Sequence, residues 1–186
     1  GSPGRRLWLD LAGGGSAGGR YGTQALIHPA FVRVGGAAVE GVIGPTGPVV
    51  VAEQLPDSNV TKKVSLAFRD VYQKTNNAPT TDAFSAYSFD GWLVLVDAAK
   101  RALAKAQPGT PEFRQAFKEA MVTTKEVVGT HGVYNFKPDG YFGVDERARV
   151  PVKLEQGKWK LVPGASFPGS PRTSAPGVSL RRGAAR

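Results

Sequence analysis

Residues 68–103 read FRDVYQKTNNAPTTDAFSAYSFDGWLVLVDAAKRAL. Two segments in and around this stretch have apolar residues at helical spacing, and these segments decide the fold. Apolar residues that recur every three or four positions predict an amphipathic helix over 59–75, which the two following asparagines would end. A second helix is predicted over 82–105, where the apolar stripe is wide. Trp92 lies on that stripe, so we assign it to the core.

Shorter apolar stretches bounded by Gly and Pro flank these helices and predict strands. They lie at 20–27, 39–43 and 49–51 before the helices, and at 132–136, 150–155 and 158–162 after them. Thr110 and Pro111 have the residue types that cap and begin a third helix. Gln156-Gly157 has the composition of a hairpin turn. The chain is therefore predicted to have a mixed α/β fold.

The amino-acid composition argues against several kinds of chemistry. The chain has no Cys, which removes disulfides, thiolate catalysis and cysteine-based zinc sites, and it has two isolated histidines. We therefore expect no metal and no cofactor. No run of apolar residues is long enough to predict a membrane-spanning helix. Any signal peptide of the parent protein is expected upstream of residue 1.

The net charge of +9 is concentrated at the two ends of the chain. Residues 1–19 and 164–186 together hold six Arg and one acidic residue and are rich in Gly, Ser or Pro. Such segments bury too little apolar surface to offset chain entropy, so we predict irregular or disordered flanks. Over 20–163 there are 18 Lys and Arg against 14 Asp and Glu. Nucleic-acid binding is therefore not expected. A basic nucleic-acid-associated protein is kept only as an alternative function from a different class.

No arrangement of residues indicates catalysis. A nucleophile needs a base within hydrogen-bond reach, whereas His28 and His131 are interpreted as loop or surface residues. Asp82, Asp90 and Asp97 follow one another at intervals of eight and seven residues, which is typical of a solvated helix face. We therefore do not expect an enzyme.

Three segments in a fixed order resemble a known family. GGAAVEGV at 35–42 precedes a Pro-rich stretch, AYSFDGW at 86–92 lies in the long helix, and GTHGVYNFKPDGYF at 129–142 leads into the last two strands. This order resembles the C-terminal part of type I periplasmic solute-binding proteins of the leucine/isoleucine/valine-binding group. The resemblance covers about residues 20–163.

The resemblance implies the C-terminal portion of a two-lobed α/β protein that closes on its ligand. Residues 20–55 would belong to one lobe, 56–130 mostly to the other, and 131–163 would form strands that cross the hinge. The implied function is the substrate-binding component of an ABC importer, which captures an amino acid or related solute and delivers it to a membrane permease. Such a protein is exported to the periplasm, and we expect a monomer. A ligand-sensing regulatory protein of the same fold is the alternative.

The resemblance also implies four ligand-binding residues. Branched-chain amino-acid binders hold the ligand's ammonium with a carboxylate after a YGT-like turn, and the matching residue here is Gln24, beside Thr23. An amide cannot neutralise an ammonium, although it can hydrogen-bond a neutral or acidic group. Phe84 would either contact the ligand or pack between helices. Tyr87 would either face the cleft or lie in the core with its hydroxyl hydrogen-bonded.

Overall fold

A computed structural model describes residues 19–80, 83–137, 139–140 and 142–164. This part of the chain contains the α-helices α1 (Pro29–Gly35), α2 (Lys62–Asn76), α3 (Phe84–Leu103) and α4 (Pro111–Val122). Its strands are β1 (Ile43–Thr46), β2 (Val127–Val128), β3 (Val133–Tyr134), β4 (Val150–Glu155) and β5 (Lys158–Leu161). Short 3₁₀ helices cover Gln24–Leu26, Gly36–Val39, Pro48–Gln54 and Glu146–Ala148. The flanks predicted to be irregular lie outside the described residues, apart from Gly19 and Gly164.

An antiparallel sheet in the order β1-β4-β5 supports one side of the described structure. β4 and β5 are joined by the predicted turn, and Gln156 and Gly157 both have positive φ angles, of 54° and 70°, as a two-residue hairpin turn requires. Glu40 holds this turn, because its carboxylate accepts hydrogen bonds from both turn N–H groups at 2.8 and 2.6 Å. β2 and β3 pair separately as a two-residue ladder.

Three clusters of buried apolar side chains pack these elements together. The cluster between the sheet and α1 contains Val39, Val42 and Leu154. The cluster between the sheet and residues 48–55 contains Ile27, Val51, Leu55 and Val152. The cluster that joins residues 48–54 to α2 and α3 contains Val49, Phe68, Ala83 and Ala86. Because each cluster shares an element with another, buried packing runs continuously from α1 through the sheet and residues 48–54 to α2 and α3.

The helix predictions agree with the structure. The helix predicted over 59–75 is α2, and Asn77 ends it in the left-handed conformation with φ of 51°. The helix predicted over 82–105 is α3. Thr110 caps α4, since its hydroxyl accepts a hydrogen bond from the N–H of Phe113 at 3.1 Å, and Pro111 is the first helical residue. β4 and β5 also lie where they are predicted.

The strands predicted before the helices are mostly wrong. Residues 20–27 contain an isolated bridge from Tyr21 to Ile43, followed by the 3₁₀ turn. Of the stretch 39–43, Ile43 alone belongs to a strand, and residues 49–51 lie in a 3₁₀ helix that begins at Pro48. Proline favours this outcome, because its φ is fixed near the helical value and it has no N–H for a strand ladder. Short apolar runs fit either structure, so periodicity could not decide between them.

The predictions also omit α1, whose start signals are present in the sequence. The Nδ1 atom of His28 accepts a hydrogen bond from the N–H of Ala30 at 3.1 Å, and Pro29 occupies the first helical position. Proline at that position favours a helix start because its missing N–H has no intrahelical partner there. Histidine is an uncommon cap, which explains why the signal is easily passed over.

The buried face of α3 differs from the predicted one. The buried residues lie on every fourth position and are Ala86, Asp90, Val94, Ala98 and Ala102. Trp92, which the sequence analysis assigns to the core, is 60% exposed. The helix is apolar on more than one face, so its periodicity could not show which face meets α4 and the loop at 129–134. The assignment of Trp92 to the core is therefore wrong for the described chain.

Candidate functional site

A cleft of about 240 Å³ lies where the turn near Gln24, the end of β1 and the start of α3 meet. Its lining residues are Gln24, Ala25, Ile27, Thr46, Ala83, Phe84 and Tyr87. These side chains provide two aromatic rings, two hydroxyl groups and one amide, and none of them carries a charge at neutral pH. The described wall of the cleft is therefore suited to an apolar or aromatic group together with a neutral hydrogen-bonding group.

Gln24 and Tyr87 meet in this cleft although they are 63 positions apart in the chain. The amide nitrogen Nε2 of Gln24 donates a hydrogen bond to the Tyr87 hydroxyl. Phe84 lies one helical turn before Tyr87, and the two rings meet edge-on with centroids 6.1 Å apart. Phe84 is 62% exposed and Tyr87 is 41% exposed, so both rings are accessible from the cleft. Burial raises the pKa of Tyr87, Asp90 adds to that rise and Gln24 opposes it, so the phenol stays protonated at neutral pH.

Thr23 lies next to the cleft but is not among its lining residues. Its carbonyl oxygen accepts a hydrogen bond from the N–H of Leu26 at 3.1 Å, which closes the turn that carries Gln24. Its side chain is exposed and makes no capping bond to that turn. The structure thus brings Gln24, Phe84 and Tyr87 together and leaves Thr23 beside them, and ligand contact by all four residues stays a prediction.

His131 stacks on Tyr87, with ring centroids 4.0 Å apart and the ring planes 13° from parallel. Its Nε2 atom lies 3.1 Å from the carbonyl oxygen of Ala83, and because a carbonyl can only accept, Nε2 carries the proton. His131 lies in a loop, as interpreted, but it is not on the surface, since it is 5% exposed. No local pattern indicates this burial, because the residues that enclose His131 are more than 40 positions away.

Asp90 holds the loop that carries His131. Its carboxylate accepts four hydrogen bonds, from the N–H of Thr130 at 2.7 Å, the Thr130 hydroxyl at 2.8 Å, the N–H of His131 at 2.9 Å and the Tyr134 hydroxyl at 2.7 Å. Asp90 is 2% exposed, so its interpretation as part of a solvated helix face is wrong. A buried carboxylate is tolerated here because the four donors replace its hydration. One signal was available, since Asp90 is the sole charged residue between Phe84 and Val96.

The environment of His131 predicts a loss of stability below about pH 6.5. Burial lowers the pKa of His131, and Asp90 and the Ala83 carbonyl oppose this effect in part. As the pH falls below about 6.5, the unfolded chain takes up a proton that folded His131 does not bind. The free energy of unfolding should therefore decrease until the pH reaches the lowered pKa, by at most about 1.4 kcal/mol per pH unit.

Urea unfolding at pH 7.5 and 5.5 measures this decrease, and His131→Gln should remove most of it. Glu126 and Asp145 do not interfere, because hydrogen bonds lower the pKa of both carboxyl groups and their titration falls below this range. An unchanged pH dependence in His131→Gln would contradict the prediction.

Gly47 allows the backbone after β1 to pass directly against His131. A Cβ atom on Gly47 would lie 2.0 Å from Nδ1 of His131, and both residues are buried. We expect Gly47→Ala to lower the free energy of unfolding by about 1–3 kcal/mol, because a packed ring would have to move. The matched control is Gly91→Ala in α3, where nothing lies within 4 Å of the new Cβ. That change should be neutral or stabilise the chain by up to about 1 kcal/mol in urea unfolding, and equal effects of the two substitutions would contradict this account.

Thr46 is a cleft residue that the sequence analysis does not identify. It is 1% exposed, and its Oγ1 is the one buried side-chain polar atom without a hydrogen-bond partner in the described part of the chain. The surrounding sequence, GPTGP at 44–48, indicates a break in regular structure and carries no information on the direction of this side chain. That direction depends on the pairing of β1 with β4.

A second and larger groove, of about 660 Å³, lies between α1, the 3₁₀ helix Pro48–Gln54 and the β4–β5 hairpin. Trp159 forms part of its wall, and an ion pair of 2.6 Å joins Arg69 to Glu53 there. None of the four predicted ligand-binding residues lines this groove. The predicted residues therefore favour the smaller cleft as the ligand site.

Within the described residues, no three histidine or carboxylate side chains are grouped as a metal site would require. None of the described helices is both long and apolar enough to cross a membrane.

The fold is similar to those of solved bacterial ligand-binding proteins. An extracellular ligand-binding receptor from Rhodopseudomonas palustris HaA2 is similar with a TM-score of 0.75 and 33% identity, over 87% of this chain and 45% of that protein. A leucine-binding protein from Thermotoga maritima MSB8 gives 0.61 and 21%, over 85% and 40%. A periplasmic binding protein type 1 from Bordetella pertussis Tohama I gives 0.61 and 14%, over 87% and 44%. The chain thus spans less than half the length of these relatives.

Neither a protein-family model nor a curated protein matches the chain. The solved structures confirm the predicted fold class: this is a portion of a ligand-binding α/β fold. More specifically, the chain is part of a type I periplasmic binding protein fold, the fold of the leucine-binding proteins.

Proposed function

We propose that this chain belongs to a solute-binding protein that captures a small organic solute and delivers it to the membrane permease of an ABC importer. The observation that supports the proposal is the convergence of Gln24, Phe84 and Tyr87 on one cleft, in a fold similar to that of ligand-binding receptors. Two aromatic rings beside neutral hydrogen-bonding groups suit reversible binding better than bond making. The proposed role is therefore binding without turnover.

The chemistry of the cleft favours a ligand whose contacting end is uncharged. By its resemblance to the branched-chain amino-acid binders, Gln24 would stand where those proteins have a carboxylate that holds an ammonium, and its amide nitrogen already donates to Tyr87. Its carbonyl oxygen can accept one neutral hydrogen bond but cannot neutralise a positive charge. We therefore propose a solute with an apolar or aromatic body and a neutral polar group at this end, rather than a free branched-chain amino acid.

The proposed parent protein is exported to the periplasm and acts as a monomer that closes around its ligand. Residues 20–55 and 56–130 would belong to different lobes, and 131–163 would cross the hinge between them. In that arrangement Gln24 comes from one lobe and Tyr87 from the other, so their hydrogen bond would join the two walls of the cleft. Closure around a ligand is a common motion of two-lobed binding proteins.

Thermal unfolding of the 186-residue chain, followed by circular dichroism with a panel of amino acids, aromatic acids and dicarboxylates, tests the proposal. A ligand present at about 100 times its Kd adds about 2.7 kcal/mol to the free energy of unfolding, which corresponds to a rise in Tm of roughly 5–10 °C. We expect at least one aromatic or neutral-ended compound to produce such a rise, and leucine to produce none. A cooperative transition that no compound shifts would contradict the proposal.

A further inference from the structure

The direction of the Thr46 side chain follows from its place in β1. Residues two apart in a strand face the same side of the sheet, so Thr46 and Gly44 share one face. A Cβ atom on Gly44 would lie 3.4 Å from the carbonyl oxygen of Gly22 and 3.4 Å from Ile27. Thr46 therefore faces the segment 22–27, which carries one wall of the cleft, and it lines the cleft itself.

The hydroxyl of Thr46 has no hydrogen-bond partner within the described protein. The polar side chains that share the cleft, Gln24 and Tyr87, bond to each other rather than to Thr46. A buried hydroxyl without a hydrogen bond is unfavourable, since it gives up its bonds to water. Valine would fill the same space without that cost, so the presence of threonine calls for a function.

We propose that the Thr46 hydroxyl hydrogen-bonds an uncharged polar atom, a hydroxyl or carbonyl oxygen, of the solute bound in the cleft. This inference rests on the proposed function and adds a specificity-determining residue to it. The partner is uncharged because the described lining residues carry no charge. Asp90 is not among the lining residues, and four hydrogen bonds from the protein already occupy its oxygens, so it makes no direct contact with a bound solute. A hydroxyl both donates and accepts, so it can bond either kind of neutral oxygen.

The test compares probe pairs that differ by one hydroxyl group: phenylalanine with tyrosine, benzoate with 4-hydroxybenzoate, and butanoate with 4-hydroxybutanoate. Binding to the 186-residue chain is measured by isothermal titration calorimetry for the wild type and for Thr46→Val. We expect the wild type to bind the hydroxylated member of at least one pair about tenfold to hundredfold more tightly. Thr46→Val should lose most of that preference, whereas the control Thr46→Ser should keep it within about threefold.

Thr46→Val is expected to fold, because it replaces an unpaired buried hydroxyl with a methyl group of similar size. Thr46→Ala gives the same comparison should the valine variant not fold. If the wild type binds the two members of every pair with equal affinity, the inference is overturned whatever the variants show. An undiminished preference in Thr46→Val would also overturn it, and the proposed function would stand. A wild type that binds none of the probes would overturn the inference together with the proposed function.

Discussion

Replacement of Asp90 by alanine is expected to lower the free energy of unfolding by roughly 3–5 kcal/mol, the largest change in stability that we predict. The buried carboxylate accepts bonds from two backbone N–H groups and from the hydroxyls of Thr130 and Tyr134. Without it these donors lose their partner in a place that water reaches poorly, and each such loss costs about 1–3 kcal/mol. This loss is a large fraction of the total stability of a typical domain, which is about 5–15 kcal/mol.

Urea unfolding followed by circular dichroism measures this loss. Asp70→Ala is the matched control, because Asp70 is also a helical aspartate with a bond of 2.7 Å, to Lys74, but both partners are exposed. Its removal should cost less than about 1 kcal/mol. Asp90→Asn keeps the shape and one acceptor, so it should fall between the two. A loss from Asp90→Ala no larger than that from Asp70→Ala would show that the buried network does not hold the loop.

Phe84→Ala is expected to weaken ligand binding by about tenfold to hundredfold while the stability of the chain changes little. The ring is 62% exposed, so the fold gains little from its burial. A bound solute would cover this ring and the edge of Tyr87, which meets it at 6.1 Å. Covering an aromatic side chain is worth about 1.5–3 kcal/mol, which corresponds to this loss of affinity. Calorimetry with the compound that most raises the Tm measures it.

Trp92→Ala is the matched control for this experiment. Trp92 lies on the same helix and is 60% exposed, but it does not line the cleft. Its replacement should leave affinity within about twofold of the wild type, because it removes an aromatic ring of similar exposure from a different face. Equal losses in the two variants would indicate a general effect on α3. An unchanged affinity in Phe84→Ala would place the ligand outside this cleft.

Two kinds of element could be predicted: helices whose apolar pattern continues over many residues, and strands whose ends are marked by turn residues. α2 and α3 each extend over four or more turns, so several apolar positions agree on the same helical repeat. β4 and β5 are bracketed by turn residues, which mark their ends. The stretch 20–27 has neither advantage, because it is short and is followed by a proline-initiated helix. Its apolar residues fit a strand, a 3₁₀ turn or an irregular segment equally well.

The residues of the candidate site likewise divide into those that the sequence could identify and those that it could not. Gln24, Phe84 and Tyr87 could be named because they lie at recognisable places in motifs that resemble a known family, and the structure brings the three side chains to one cleft. Thr46 and His131 could not be named. Their roles depend on the pairing of β1 with β4 and on contacts that cross more than 40 residues of chain.

The sequence by itself determined the α/β class, the positions of the long helices and of the last hairpin, and the resemblance that pointed to a solute-binding fold. The tertiary structure alone decided which face of α3 is buried, that Asp90 is a buried acceptor, and that Tyr87 lies between Gln24 and His131. The physical reason is that a helical or strand period states how side chains are spaced along one element. Which face is buried, and which polar group finds a partner, depends on elements brought together from distant parts of the chain.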